Sequence, residues 1–488
     1  MGEDKKANKH IGWRTTGKER WSYYMGFSGI VSQSAIVANY LSTYILLSGI
    51  DIRVSAIIIL IIKFIDAIDD ILFGFIVDKI KFSGKGFIGK LLGNGSYLPW
   101  IRLVFLLLPL AAITLYNMPP GMNDVWKIVW FSVGYLLWDL FYTIIDVPMN
   151  AMVTTMTDNT DERNVLIANR MYPEIILVLA ITSLSTVLIS EKVGVPIGTA
   201  VIVLSAFVLL TILPIALGVK EHCPRQAAQD EDEKYTLRDM LRYLKGNKYL
   251  SLLYGGSVIR GCFATGAGVG LFVAFYLFDN SLFSLVYTAA GIVPVLILMV
   301  FVPKLARRFD KFKMAFITNL ISIGTSTLIY FLGYKNVGLH LAALVIHIIP
   351  STFSGILLNF LCPSCVEYGK YKTGVDGTGI SFAIQTFTFK MTGAIASSFG
   401  LLVLGLFGWV SIEAASFAEL AESGITQSAE ALRGLWFVNA GVPVFGIILC
   451  ALLWSQYKLR DKDVELMIRH SNGEITRAEA DAQMSRAY

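Results

Sequence analysis

The sequence predicts an all-α membrane protein with twelve transmembrane helices in two six-helix halves. Three observations predict it. The 488 residues are 55% hydrophobic and only 16% charged, against roughly 25% charged in soluble domains. Apolar runs of about 20 residues, enough to cross a hydrocarbon core of about 30 Å, alternate with short polar connections. One long polar stretch, from about Lys220 to Lys248, divides the runs six and six.

Hydrophobic length, rather than periodicity, is the governing signal. Taken in order, the runs place helices near residues 23–47, 54–78, 97–117, 125–148, 172–190, 195–218, 250–278, 282–303, 313–333, 338–362, 380–408 and 434–457. Residues 1–22 carry Lys5, Lys6, Lys9, Arg14, Lys18 and Arg20 without an apolar stretch or a small-residue cleavage pattern, so the first helix is expected to be its own insertion signal. The expected organisation is a cytoplasmic tail (1–22), an N-terminal half (23–218), a central cytoplasmic loop (219–249), a C-terminal half (250–457) and a second cytoplasmic tail (458–488).

Orientation follows from the basic residues. With a cytoplasmic N-terminus, the outside loops hold only Arg53, Lys127, Lys192, Lys335 and Arg433 of the 41 Lys and Arg residues. Both termini are then cytoplasmic, in a multi-pass protein of the cell (inner) membrane. The net charge of +5 follows from topology and implies no nucleic-acid partner. The expected partners are the lipid bilayer and a small-molecule substrate, and the chain is expected to act as a monomer. The cysteines, Cys223, Cys262, Cys362, Cys365 and Cys450, are scattered, with none in an outside loop, and imply no disulfide framework. Cys362-Pro-Ser-Cys365 has redox-motif spacing but ends a membrane helix, away from any βαβ context.

The halves echo one another. The loop after helix 2 carries Lys79, Lys81, Lys85 and Lys90, and the loop after helix 8 carries Lys304, Arg307, Arg308, Lys311 and Lys313. Halves built of nested three-helix repeats suggest the major facilitator architecture, with a substrate site between them near the midplane. Residues Gly84 to Lys90 nearly spell a phosphate-binding loop, but Leu91 stands where Ser or Thr would hold magnesium and no strand precedes it.

A charge at the bilayer centre costs at least about 2.5–3.5 kcal/mol on insertion scales, so each one needs a partner or a task. The charged residues singled out within helices are Lys63, Asp66, Asp69, Asp70, Asp139, Asp146, Glu174, Arg260 and Lys390. Residues three and four apart share a helix face, so Asp66 and Asp70 point the same way with Asp69 beside them. Helix 4 offers Asp139, Tyr142, Thr143 and Asp146, and the spacing of seven between the acids again gives one face. Carboxylates and a hydroxyl are hard oxygen ligands suited to a hard cation. Lys63, one turn before Asp66, and Lys390 offer the alternative of structural ion pairs. The surplus of acids favours reversible binding of Na⁺ or protons, so a coupling ion is expected and no other cofactor. Arg260 lies in glycine-rich helix 7, where it meets either an anionic substrate group or an acid across a helix interface. No metal-ligand or nucleophile constellation accompanies His347, which argues against an enzyme. A sensor that binds solute without moving it is a further class, against which the surplus acids argue.

Helix 2, Asp66-Ala-Ile-Asp69-Asp70-Ile-Leu-Phe-Gly74-Phe-Ile-Val-Asp78, resembles the Asp-Ala-x-x-Asp-Pro-x-x-Gly-x-x-x-Asp signature of the melibiose permease-like glycoside/pentoside/hexuronide:cation symporters of the major facilitator superfamily. Pro99-Trp100, Tyr142-Thr-Ile-Ile-Asp146-Val-Pro148, Asp161-Glu162-Arg163 with Arg170, Glu367-Tyr368-Gly-Lys370-Tyr-Lys372-Thr-Gly and Gln385-Thr386-Phe-Thr-Phe-Lys390 follow in the family's order. The resemblance implies a cation site at Asp66, Asp69, Asp70, Thr143 and Asp146, with Asp66, Asp70 and Asp146 as Na⁺ ligands in a sodium-coupled protein. It implies sugar contacts at Tyr142, Asp146, Asn150 and Arg170, with Lys390 and Gln385 beside the cation site.

The chain departs from that pattern. Tyr23 to Tyr44 contains no Asp or Glu where family members carry a helix 1 acid, Asn150 replaces a Trp that flanks the sugar, and Ile71 replaces a Pro. The expected function is cation-coupled symport of a glycoside, pentoside or hexuronide by alternating access. The alternative keeps the fold and changes the cargo to a lipid or another amphiphile.

Overall fold

Helix boundaries follow capping chemistry where hydropathy alone does not set them. The computed structural model of the chain describes residues 13–80, 82–83, 92–223, 237–374 and 377–486; the phosphate-loop-like stretch from Gly84 to Lys90 lies outside them. The membrane helices are α1 (Gly17–Leu47), α2 (Ile52–Lys79), α3 (Leu98–Tyr116), α4 (Asp124–Met156), α5 (Thr160–Ile189), α6 (Ile197–Gly218), α7 (Lys248–Phe278), α8 (Phe283–Ala306), α9 (Lys311–Leu332), α10 (Val337–Thr373), α11 (Thr378–Leu406) and α12 (Ala429–Trp454). Eleven of them are long and apolar enough to cross a membrane among the described residues. The twelfth, α2, is 28 residues long and as apolar as its neighbours, but it carries Lys63, Asp66, Asp69 and Asp70 within its span.

Several helices outrun their apolar runs. α5 starts twelve residues before the expected 172, because Asn159 accepts hydrogen bonds from the backbone N–H of Asp161 (2.9 Å) and Glu162 (3.1 Å) and starts a polar helical segment. α10 runs on to Thr373, where Gly374 closes it with a left-handed backbone (φ 76°). The polar tail also folds, into helices Asp461–Ser471 and Arg477–Gln483.

The chain forms two compact units, Met1–Asp230 with Ser411–Ile425, and Glu231–Val410 with Thr426–Tyr488. In the first unit α1 packs against α5 and α6. A methyl group at Gly26 would fall inside the Ile215 side chain, and one at Gly29 against Thr211 and Ile212, so these glycines set the α1–α6 approach. Polar clasps replace lipid-incompatible loose ends: Gln33 donates to Ser205 (3.0 Å) and Tyr40 to the Ser185 carbonyl (2.7 Å). Glu162, fully buried, accepts from the backbone N–H of Arg14 (2.9 Å) and Thr15 (3.0 Å) and from the Thr157 hydroxyl (2.5 Å).

Segment Ser411–Ile425, which sits between α11 and α12 in sequence, belongs to this first unit. Gly49 N–H donates to the Ile412 carbonyl (2.7 Å), Ala414 N–H to Leu47 (2.8 Å) and Ile197 N–H to Ala415 (2.8 Å). Lys127 Nζ pairs with Glu413 (2.8 Å), and Phe417 is fully buried. Truncating a buried Phe to Ala costs about 3–5 kcal/mol. Phe417→Ala is therefore expected to undock the segment, read as faster hydrogen exchange at the Ala414 and Gly49 amides. Unchanged exchange would show that Phe417 does not hold it.

In the second unit α7 is broken. Its halves, Lys248–Cys262 and Gly266–Phe278, flank a turn in which the Thr265 hydroxyl donates to the Val438 carbonyl (2.5 Å). Val438 lies in a π-helical turn of α12, Phe437–Gly441. Around the first half of α7 packs a core of Leu250, Leu253, Leu357, Leu361 and Trp454. Cys362 and Cys365 are buried free thiols of that core, in contact with the hydroxyls of Tyr254 (2.9 Å) and Tyr457 (3.3 Å). Met467 and Ala480 anchor the tail helices in the same core.

Candidate functional site

Asp51 caps α2 by accepting from the backbone N–H of Arg53 (2.8 Å) and Val54 (3.2 Å), and Asn123 caps α4 by accepting from Trp126 (3.0 Å). The two helices pack together and bring their charges into one cluster. Lys63 Nζ lies 3.3 Å from Asp66 Oδ2 and 2.5 Å from Asp139 Oδ1. The Thr143 hydroxyl donates to Asp66 Oδ1 (3.2 Å). Asp66 is 7% exposed and Asp139 3%, so neither carboxylate can rely on bulk water for neutralisation.

An aromatic ladder completes the setting. Phe131, Tyr135, Trp138 and Tyr142 recur along α4 at one-turn intervals and stack in sequence, with centroids 5.9, 6.0 and 5.5 Å apart and interplanar angles of 17°, 5° and 18°. Lys63 Nζ lies over the Tyr135 ring (5.6 Å) and the Trp138 ring (6.0 Å). Two ring faces thus add cation–π attraction to two carboxylates, and the ammonium is held from α2 against α4.

Further along the same α4 face, Asp146 accepts from Asn150 Nδ2 through Oδ1 (3.1 Å) and through its carbonyl (3.0 Å). The face therefore reads Asp139, Thr143, Asp146, Asn150, with Tyr142 adjoining. Arg170 on α5 donates through Nη1 to the Tyr23 hydroxyl (2.9 Å) and stacks on Phe27 at 3.7 Å, and its buried Nε has no hydrogen-bond partner among the described residues. In the second unit Gln385 donates to Asn359 (2.9 Å), and Arg260 donates to Ser351 Oγ at 2.7 Å.

The structure thus joins Asp66 to Thr143 and gathers Tyr142, Asp146 and Asn150 on one face. Asp69, Asp70 and Lys390 have side chains outside the described residues. Among the described residues no group of three or more His, Cys, Asp or Glu converges to hold a metal ion. The Lys63–Asp139 pair and the aromatic ladder are the features of this site that sequence reasoning misses. The ladder's signal is the recurrence 131, 135, 138, 142; the ion pair joins residues 76 apart in sequence. Chemically, the cluster is a set of buried oxygen ligands already holding one internal cation, in a helix pair with more carboxylates than ammonium groups.

The family model for MFS/sugar transport proteins matches residues 22–461. An uncharacterized symporter of Bacillus subtilis (strain 168), YnaJ, is 25% identical over 455 residues, covering 88% of this chain and 89% of that protein. The glucuronide carrier protein homolog of Escherichia coli (strain K12) is 24% identical over 469 residues, covering 93% and 94%. The crystal structure of nucleoside transporter NupG matches with a TM-score of 0.60 at 14% identity, over 91% of this chain and 100% of that one, a likeness of fold alone. The chain has the major facilitator fold and belongs to the MFS/sugar transport protein family.

Proposed function

We propose that the chain is a secondary symporter, driven by Na⁺ or H⁺, that carries a glycoside, pentoside or hexuronide by alternating access as a monomer of the inner membrane with both termini cytoplasmic. The observation that carries this reading is the carboxylate cluster. α2 and α4 hold Asp66, Asp139 and Asp146 within the membrane against the single ammonium of Lys63. Two buried carboxylates, Asp66 and Asp139, share that one ammonium, and half-buried Asp146 stands two turns further along α4; this surplus of carboxylates favours binding a further cation, because any positive charge that enters relieves their repulsion. The reading places the ion at Asp66, Asp69, Asp70, Thr143 and Asp146, and the solute at Tyr142, Asp146, Asn150, Arg170, Arg260, Gln385 and Lys390. Its support is the Thr143–Asp66 hydrogen bond, the shared α4 face and the buried unpartnered Nε–H of Arg170. Two relatives, one named a symporter and the other a glucuronide carrier homolog, point the same way.

Asp146 would couple the two ligands by belonging to both sites. Ion binding fixes its side chain and lowers the cost of ordering the solute pocket, and coupling of this kind is reciprocal. The test is uptake of labelled glycosides, pentosides and uronides, with a fluorescent lysophospholipid as the lipid arm, into vesicles under an imposed Na⁺ or pH gradient. Ion-driven uptake of a sugar is expected; transfer of the lipid alone would overturn the sugar reading.

A further inference from the structure

The second unit contains an unbalanced charge. The six apolar runs of the C-terminal half, 250–278 through 434–457, contain no Asp and no Glu, since Glu367 of α10 and Glu430 of α12 lie outside them, yet Arg260 lies in the first of them. Its partners are neutral. Nη2 donates to Ser351 Oγ (2.7 Å) and the Ser351 carbonyl (3.3 Å), and Nη1 to Ser354 Oγ (3.3 Å) and Asn319 Oδ1 (3.5 Å). No carboxylate pairs with it among the described residues.

Those partners belong to a polar seam. On α9, Asn319, Ser322 and Thr325 recur every three residues, and on α10, His347, Ser351 and Ser354 recur at four and three, so each set shares one helix face. Thr325 Oγ1 and His347 Nδ1 meet at 2.9 Å, which joins the two faces. Asn319, Ser322 and Ser354 are fully buried. α7 brings Arg260 to the seam through glycines: a methyl at Gly256 would strike Trp454, and one at Gly261 would lie 2.6 Å from Thr392. Arg260 also stands two residues before α7's first half ends at Cys262, and discontinuous helices are where transporters build solute sites.

Neutral acceptors satisfy the guanidinium's donors but leave its charge, which is costly within a membrane. We propose that Arg260, with Ser351, Ser354 and Asn319, forms an oxyanion subsite that takes the carboxylate of an acidic, hydroxylated solute, the solute supplying the counter-charge that these six apolar runs lack. The planar guanidinium offers two parallel charge-assisted hydrogen bonds to one carboxylate. The Ser351 and Ser354 hydroxyls can turn from accepting to donating toward the same oxygens. The proposal rests on the transport reading above and narrows its substrate to the acidic members of that class. A purely structural Arg260, tying α7 to α9 and α10, would affect acidic and neutral solutes alike.

The test compares p-nitrophenyl β-D-glucuronide with p-nitrophenyl β-D-glucoside on the full-length protein, by calorimetric binding in detergent and by gradient-driven uptake in proteoliposomes. Arg260→Gln is expected to weaken glucuronide binding about a hundredfold, two decades at about 1.4 kcal/mol each, and glucoside binding less than about threefold. Arg260→Lys keeps the charge without the fork and should fall between. Ser351→Ala, which leaves the charge in place, should weaken the glucuronide alone and keeps the proposal testable if Arg260→Gln does not fold. Equal loss of both ligands overturns the subsite, as does a wild-type protein that binds the glucuronide no more tightly than the glucoside. Tight glucuronide binding without gradient-driven uptake of either ligand would sink the transport reading and leave the subsite standing. Ion-driven uptake of the glucoside, indifferent to Arg260, would do the reverse.

Discussion

Asp66→Cys is expected to abolish the stimulation of solute binding by the coupling ion while leaving ion-free affinity nearly unchanged. Ion–solute coupling of about 1–3 kcal/mol corresponds to about 5–150-fold in affinity, and the variant should reduce that gain to none. The reason lies in the partners of Asp66. One oxygen accepts from Thr143 and the other faces Lys63, so the carboxylate stands at the junction of α2 and α4 and is nearly buried. Cysteine at that position removes the charge and the hard oxygen ligands while keeping a small side chain. Asp146→Cys should differ in kind, losing ion stimulation and ion-free solute affinity together, because Asp146 is placed in both sites. Titration of solute binding with and without Na⁺, and at two pH values, separates the patterns. An Asp66→Cys protein that keeps the full ion-induced gain would remove Asp66 from the ion site.

Lys63→Ala is expected to destabilise the first unit by about 3–5 kcal/mol, the cost of removing one partner from a buried ion pair. Two carboxylates, Asp66 and Asp139, would lose their shared ammonium, and the Tyr135 and Trp138 rings would lose the cation above them. A second substitution makes this specific. Asp139→Asn in the Lys63→Ala background removes one of the stranded charges and should recover a large part of the lost thermal stability. Raising Na⁺ should also stabilise Lys63→Ala more than wild type, since a free cation can enter where the ammonium was. Melting of the purified protein across a Na⁺ series measures both effects. A Lys63→Ala protein that melts like wild type, or one that Asp139→Asn does not rescue, would show that the pair carries little energy.

The sequence makes the membrane helices legible because length and apolarity are local properties. It misses the start of α5, since Asn159 and the polar turns that follow form helix for reasons of capping rather than hydropathy. Helical spacing identifies the α4 face from Asp139 to Asp146, but seven residues are two turns, about 10 Å along the axis. A shared face is therefore not a shared contact: Asp139 meets Lys63, whereas Asp146 meets Asn150. The Lys63–Asp139 pair joins different helices, so no spacing within either one reveals it. Segment Ser411–Ile425 reads as a connection between α11 and α12, and its backbone pairing with residues 47 and 49 depends on tertiary contacts that no local pattern encodes. Arg260 is legible as an outlier by composition, while the neutral character of its partners requires the packing of α7, α9 and α10.

Whether cation binding at the α2–α4 carboxylates drives solute uptake is measured most directly by gradient-driven accumulation in proteoliposomes. With full-length protein as the only transporter, an inward Na⁺ or pH gradient imposed without solute gradient should concentrate a labelled glycoside or uronide above its external level, collapse on addition of an ionophore, and fail with Asp66→Cys. Uptake that only equilibrates the solute, at the same rate with and without either gradient and regardless of Asp66, would contradict such coupling.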